Sequence, residues 1–210
     1  MSVTSQQNTI QEPQRVLILK QLINHLNMKT LKFNIILFLI LVSSIAFAQE
    51  NSETRKFIDD AEFTQINRDW SIRAEFKSGL GEFVSFFPVE AIDLKSNTKI
   101  NALQMDMNVT VGNRNYFKSS WIDLKEVDEF INFLESYVVP NLKDKAESRQ
   151  SITYVFNSKE IRFSFHIERN LKRISVYLKD FGVTDNYHYF WTETQVSRIP
   201  DLLNMLKQIK

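Results

Sequence analysis

The 210-residue sequence predicts an α+β domain of two antiparallel four-strand meanders, each followed by a helix, packed as one body. Three observations predict this doubled ββββα unit. Apolar and polar residues alternate over much of the chain, as they do in strands with one solvated face. Two segments change to helical spacing. The two helical segments have the same apolar pattern, and the second lies 72 residues after the first. Both halves of the chain therefore follow the same order of strands and helix.

The period of two is clearest in three predicted strands. The first contains Leu103, Met105, Met107, Val109 and Val111, and the others span 161–167 and 174–178. Because only a short connection separates the last two, we expect them to pair antiparallel. Further strands are predicted at 82–87, 116–122, 152–156 and 187–193.

Two helices are predicted from apolar residues at steps of three and four. The first spans 124–138, with Asp123 as its N-cap and Glu126 completing a capping box. The second spans 199–209, with Ser197 as its N-cap. Each half of the chain has one apolar sheet face that it cannot bury alone, so the two halves should pack against each other.

An apolar segment before this domain has the layout of a secretory signal peptide. Two lysines follow Met28, an apolar run spans 35–42, and the small residues Ala46 and Ala48 come next. A positive end stays in the cytoplasm while small side chains fit the peptidase. The apolar segment is also shorter than the roughly 18–20 residues that a transmembrane helix needs. We therefore predict that residues 28–48 are a signal peptide, cleaved after Ala48.

The domain boundaries follow from this prediction. A polar leader rarely precedes a signal peptide, so residues 1–27 are interpreted as a misassigned upstream extension. The alternative is a real cytoplasmic extension with residues 33–48 as an uncleaved membrane anchor. Residues 49–210 are predicted to form a single domain, with an internal repeat at about 73–140 and 151–210.

Charge and composition exclude several classes of function. Without residues 1–48 the chain has 22 basic and 24 acidic residues, and this net charge of −2 exerts no pull towards nucleic acid or anionic membrane. The absence of cysteine excludes disulfides, thiolate metal sites and thiol nucleophiles. Four glycines argue against a glycine-rich phosphate loop, and we expect no cofactor.

Two stretches carry a resemblance to a group of proteins. The first is the helix opening Asp-Leu-Lys-Glu-Val-Asp-Glu-Phe-Ile-Asn-Phe-Leu (123–134), which follows the strands, and the second is the signal ending Ala-Phe-Ala-Gln (46–49). Both resemble uncharacterised secreted proteins of Bacteroidota. The resemblance implies a periplasmic or extracellular location and this type of fold, and it brings no catalytic residues. The doubled ββββα order is also similar to that of Whirly-type single-strand DNA binders, but export and the negative charge argue against nucleic acid.

No catalytic or metal-binding motif stands out in the predicted domain. His166 and His188 are not paired at metal-ligand spacing, and no G-x-S-x-G motif is present. Asp59, Asp60 and Glu62 lack the spacing of a calcium loop. We therefore expect a non-enzymatic domain without a bound metal.

The most suggestive feature is an aromatic strand. Tyr187, Tyr189 and Trp191 share one side of the last strand, and Tyr177 lies on the solvated face of the strand before it. These rings predict either a stacking surface for a ligand or a packed surface beneath a helix or the other repeat. The packed arrangement is the more common one for large aromatic side chains.

The leading hypothesis is a secreted, non-enzymatic module that binds a protein, a glycan or an apolar ligand through a sheet face or this aromatic strand. An alternative is a carrier of an apolar small molecule in a pocket between the two sheets, which Met105 and Met107 would line. A third, an enzyme that uses Asp, Glu and Tyr, would need two convergent carboxylates in a cleft. A membrane enters only if the signal segment is not cleaved.

Overall fold

The computed structural model describes residues 51–79, 81–147, 150–179 and 189–209. The predicted signal peptide 28–48 and the upstream extension 1–27 lie outside these residues. Residues 49–210 form one compact unit. Within the described ranges, no helix has both the length and the apolar character needed to cross a membrane.

The fold contains three helices and nine strands within the described residues. In chain order they are α1 (Glu53–Asp60), β1 (Thr64–Arg68), β2 (Ala74–Lys77), β3 (Phe83–Asp93), β4 (Lys99–Val111), β5 (Arg114–Asp123), α2 (Leu124–Phe133), β6 (Ser151–Asn157), β7 (Ile161–Glu168), β8 (Leu171–Leu178), β9 (Tyr189–Thr192) and α3 (Ile199–Lys207). Helix α2 continues as a π-helical turn, Leu134–Val138, and a 3₁₀ turn, Pro140–Lys143.

The predicted fold class is confirmed. Strands β1–β5 form one antiparallel sheet and β6–β9 form a second, in the order β6-β7-β8-β9, and a helix follows each sheet. In the second sheet each strand pairs with the next one in the chain, as a meander requires.

The first sheet has five strands rather than the four predicted. β1 pairs with residues 89–93 of β3 and β2 pairs with residues 83–86, so the two short strands lie one after the other along the same edge. They are interrupted opposite Pro88, which has no N–H to donate to a neighbouring strand. The five strands therefore occupy four strand positions.

The helix ends differ in one detail from the prediction. The N–H of Asp123 donates to the Glu126 carboxylate at 3.1 Å, which is the predicted reciprocal bond at the start of α2. Helix α3 begins at Ile199 with Arg198 as its N-cap, so Ser197 does not cap it. Residues 196–198 form a 3₁₀ turn that leads directly into the helix.

One apolar core joins the inner faces of both sheets with α2 and α3. Phe130 of α2 connects the two halves, because its ring centroid lies 6.3 Å from that of Phe86 in the first sheet and 5.2 Å from that of Phe163 in the second. A smaller cluster lies on the outer face of the first sheet, where Ile58 of α1 packs near Trp121. The outer face of the first sheet is therefore covered in part by α1.

Candidate binding surfaces

The second sheet brings three of the four predicted site residues together on its outer face. Tyr177 lies directly opposite Tyr189 and their ring centroids are 4.3 Å apart. Trp191 follows two residues later on the same side of β9, opposite Ser175. We call Arg173, Tyr177, Tyr189 and Trp191 the aromatic patch. The fourth predicted residue, Tyr187, lies outside the described residues.

The aromatic patch is open to solvent. Tyr177 is 37% exposed and Trp191 is 45% exposed. The guanidinium carbon of Arg173 lies 4.7 Å from the centroid of the Trp191 ring, and its Nη2 donates to Glu193 at 2.6 Å. Burial, together with the adjacent Tyr177, raises the pKa of Tyr189. The patch is thus a cluster of exposed, laterally supported rings with one cation.

His166 belongs to no group of metal-ligand side chains in the described part of the chain. His166 lies half-buried on the outer face of β7, where its Nδ1 is 2.7 Å from the Thr153 hydroxyl. His188 lies outside the described residues. Among the described residues, no three His, Asp or Glu side chains are placed to hold a metal ion.

The inner faces of the two sheets contribute buried side chains to one core. Met105 and Met107 are both fully buried and belong to the main apolar core. These methionines therefore act as packing residues of the core.

Two buried carboxylates hold α1 against the rest of the domain. Glu160, in the turn between β6 and β7, accepts hydrogen bonds from Arg55 Nε at 2.9 Å and from the Trp121 N–H at 2.9 Å. Asp123 accepts from the N–H groups of Glu53 and Thr54 at 2.9 and 3.0 Å. Both carboxylates are occupied by donors of the protein itself, so their role is structural.

A groove on the outer face of the first sheet was not predicted. It has a volume of about 630 Å³ and crosses the sheet from β1 to β5. We call it the polar groove; its lining includes Arg68, Trp70, Gln104, Asp106, Phe117 and Ser119. Gln104 and Asp106 occupy the predicted solvated face of β4, yet they are only 1% and 6% exposed.

Sequence alternation contained part of this signal. The polar residues between Leu103 and Val109 predict an ordinary solvated face of β4. Phe117, which is exposed on the neighbouring strand β5, carries no pattern in the sequence that indicates a groove. Trp70 comes from the irregular residues between β1 and β2, where no periodicity indicates its position.

Comparisons with known proteins add no family. No protein-family model matches the chain. A search of curated proteins finds no significant match. The function must therefore be inferred from the surfaces themselves.

Proposed function

We propose that this protein is an exported binding module that contacts a protein partner through the aromatic patch. The observation that carries the proposal is the gathering of Tyr177, Tyr189 and Trp191 on one exposed sheet face beside Arg173. Tyrosine, tryptophan and arginine are the residue types that most often dominate the binding energy of protein interfaces.

Contacts among these side chains fix their conformations before a partner binds. Tyr177 and Tyr189 contact each other, and Arg173 is held over Trp191 by its bonds to Glu193. Side chains already fixed in this way lose less conformational entropy when a partner binds. The opposite face of β8 and β9 is fixed as well, because Val176 and Phe190 are buried in the core. A rigid, exposed aromatic face on an open sheet suits the surface of another protein.

Export is the second part of the proposal. It rests on the sequence of residues 28–48, in which two lysines, an apolar run and the small residues Ala46 and Ala48 follow one another as in a secretory signal peptide. Intact-mass spectrometry of the protein from its own host is expected to find a chain that begins at Gln49. A mature chain that retains residues 28–48 would instead support the membrane-anchored alternative.

Site-specific crosslinking tests the partner surface. A photoreactive phenylalanine analogue at position 177 should crosslink to one protein in the host, and the same analogue at position 63 should not. Phe63 is the matched control because it is 55% exposed and lies outside the aromatic patch.

The crosslinked protein is then purified and titrated against the domain by calorimetry. The double substitution Tyr189→Ala and Trp191→Ala should weaken binding by roughly tenfold or more, with native far-UV circular dichroism retained. The substitution Phe63→Ala should leave the affinity unchanged. Unchanged binding of the double variant would contradict the assignment of the patch.

A further inference from the structure

The polar groove contains a buried carboxylate with an open oxygen. Asp106 is 6% exposed, and its Oδ1 accepts from Gln104 Nε2 at 2.7 Å and from the Ser119 hydroxyl at 2.6 Å. Its Oδ2 has no hydrogen-bond partner among the described residues, and no cation of the described chain forms an ion pair with Asp106. Among the described residues, the only fully buried side-chain nitrogen or oxygen without a partner is Gln195 Oε1, so the unpaired Oδ2 of Asp106 remains in contact with solvent. Asp106 lines the groove, and this oxygen can therefore accept a hydrogen bond from a donor outside the chain.

The polar groups around Asp106 are fixed in direction. Because the Gln104 amide nitrogen donates to Asp106 and Ser119, its oxygen faces the other way and accepts from Arg68 Nε at 3.1 Å. The two terminal guanidinium nitrogens of Arg68, Nη1 and Nη2, donate no hydrogen bond within the described part of the chain. The floor of the groove thus offers one fixed acceptor, Asp106 Oδ2, and free donors on Arg68.

Two aromatic side chains line the groove beside these polar groups. Phe117 is 59% exposed and Trp70 is 53% exposed. Trp70 is supported from below by the buried ring of Phe87, with centroids 4.3 Å apart. Such rings present apolar faces to a ligand, while the floor presents hydrogen-bonding groups. Sites for small ligands combine these two features, and the groove volume lies within their usual range of about 300–1,000 Å³.

The charges in the groove decide the class of ligand. One carboxylate, Asp106, and one guanidinium, Arg68, line the groove together. An ammonium ligand would be repelled by Arg68, and an anionic ligand would be repelled by Asp106. A neutral molecule with several hydroxyl groups can donate to Asp106 and accept from Arg68, while an apolar ring face rests on Phe117 or Trp70. A saccharide meets all of these requirements.

We infer that the polar groove is a binding site for a neutral saccharide of one or two rings. This site lies on the first sheet, and the inference does not rest on the aromatic patch of the second sheet. A domain that fails the crosslinking test at position 177 can still bind saccharide.

A glycan array that carries neutral, amino and acidic sugars, probed with the intact mature domain, tests the inference. The strongest neutral glycan is then titrated into ¹⁵N-labelled protein. We expect amide shifts at Arg68, Gln104 and Phe117, and binding that is weaker by roughly tenfold or more in Asp106→Asn and in Phe117→Ala. Phe117 is exposed, so its replacement leaves the core untouched and keeps the test valid if Asp106→Asn fails to fold. Phe63→Ala is the matched control and should bind as the wild type does, because Phe63 is 55% exposed and is not part of the groove lining.

Three results would overturn the inference. The first is an array on which no neutral glycan binds. The second is a bound glycan whose affinity is the same in Phe117→Ala as in the wild type. The third is a preference for amino or acidic sugars over neutral ones, because the opposite charges of Arg68 and Asp106, which both line the groove, predict the opposite order.

Discussion

At the scale of single residues, the carboxylate of Glu160 joins parts of the chain that are far apart in sequence. It is fully buried and accepts hydrogen bonds from Ser52, Arg55, Ser120 and Trp121. These donors belong to α1, its N-cap and β5, whereas Glu160 precedes β7 of the second sheet. One side chain thus connects the first helix, the last strand of the first sheet and the second sheet.

Replacing Glu160 by glutamine should therefore destabilise the whole domain. The glutamine amide would direct an N–H₂ group at some of these donors and would remove the charge that pairs with Arg55. We expect this change to lower the free energy of unfolding by about 3 kcal/mol. Urea denaturation followed by circular dichroism measures the loss. Glu168→Gln is the control, because the Glu168 side chain is 61% exposed and should change stability by no more than about 0.5 kcal/mol. A loss below about 1 kcal/mol for Glu160→Gln would show that the carboxylate is not essential.

Glu160 and Asp106 differ in the number of carboxylate oxygens that accept hydrogen bonds from the protein, and this difference distinguishes a structural carboxylate from one that can bind a ligand. Both carboxylates are buried, but the hydrogen bonds of Glu160 use both of its oxygens, whereas those of Asp106 use one. A carboxylate whose two oxygens are occupied by the protein has no acceptor to offer a ligand. Neither assignment could be made from sequence, because the donors to Glu160 lie up to 108 residues away.

At the scale of elements, helix α1 is fastened at its N-terminus. Its first N–H groups have no partner within the helix, and the Asp123 carboxylate accepts those of Glu53 and Thr54. The Thr54 hydroxyl adds a third bond at 2.9 Å. A negative charge at this end also interacts favourably with the helix dipole. Asp123 is thus the N-cap of α2 in the sequence and also holds the N-terminus of α1 through hydrogen bonds in the fold.

This anchor should depend on pH. Burial alone would raise the pKa of Asp123, but the hydrogen bonds from Glu53 and Thr54 outweigh it and hold the pKa below its ordinary value of 3.8. The native state then binds the proton more weakly than the unfolded state. The stability that Asp123 contributes is thus fully present above about pH 3.8 and is lost as the pH falls through the lower native pKa.

The substitution Asp123→Asn tests this dependence. At pH 7 it should lower the free energy of unfolding by about 2 kcal/mol, since hydrogen bonds to a charged acceptor are lost. The difference from the wild type should shrink as both proteins are titrated below pH 3.8, where the wild-type carboxyl becomes neutral. Asp59→Asn, at the exposed end of α1, should show no such trend. A difference that stays constant with pH would argue against the charge of Asp123 as the anchor.

The neighbouring Glu126 should act in the opposite direction. Burial raises the pKa of Glu126 above its ordinary value of 4.5, although hydrogen bonds from the N–H groups of Lys159 and Asp123 oppose this shift. The native state therefore holds this proton more tightly, and stability falls as the pH rises from about 4.5 through the native pKa. The double substitution Asp123→Asn and Glu126→Gln should consequently remove both pH trends at once, which denaturation curves across this range would show.

The elements that sequence predicted are those with a sustained period. Strand β4 alternates over its whole length, and α2 and α3 repeat apolar residues every three or four positions, so their existence follows from local pattern. Strand β2 was missed because only Ala74 and Phe76 are buried within it. Helix α1 was missed because long-range bonds to Asp123 and Glu160 hold it in place. The aromatic patch lies on strands that alternate, so local pattern predicts it. The polar groove needs Trp70 beside β4 and β5, and local pattern does not predict that placement.

At the scale of the whole molecule, the two meanders are parts of one cooperative structure. The core contains the inner faces of both sheets, and Phe130 packs between Phe86 of the first sheet and Phe156 and Phe163 of the second. The inner faces of both sheets belong to the same apolar core, so removal of one sheet would expose the inner face of the other. The sequence argument that each half cannot bury its face alone thus has a direct structural counterpart.

We therefore expect the domain to unfold in a single transition. Its tryptophans can report the unfolding of each half separately. Trp70 and Trp121 belong to the first half and Trp191 to the second. In Trp191→Phe the fluorescence follows the first half, and in Trp70→Phe with Trp121→Phe it follows the second. Within each variant, the urea transition by fluorescence should coincide with that by far-UV circular dichroism.

The added substitution Phe130→Ala makes this test stricter. It removes a buried ring that contacts both sheets, so it should lower the stability reported by either tryptophan set by the same amount, about 3–5 kcal/mol. If only one set shifted, α2 would stabilise one sheet alone and the meanders would be separate folding units. Equal shifts would mean that damage to the core reaches the aromatic patch and the polar groove together, because both surfaces are the outer faces of sheets that share one interior.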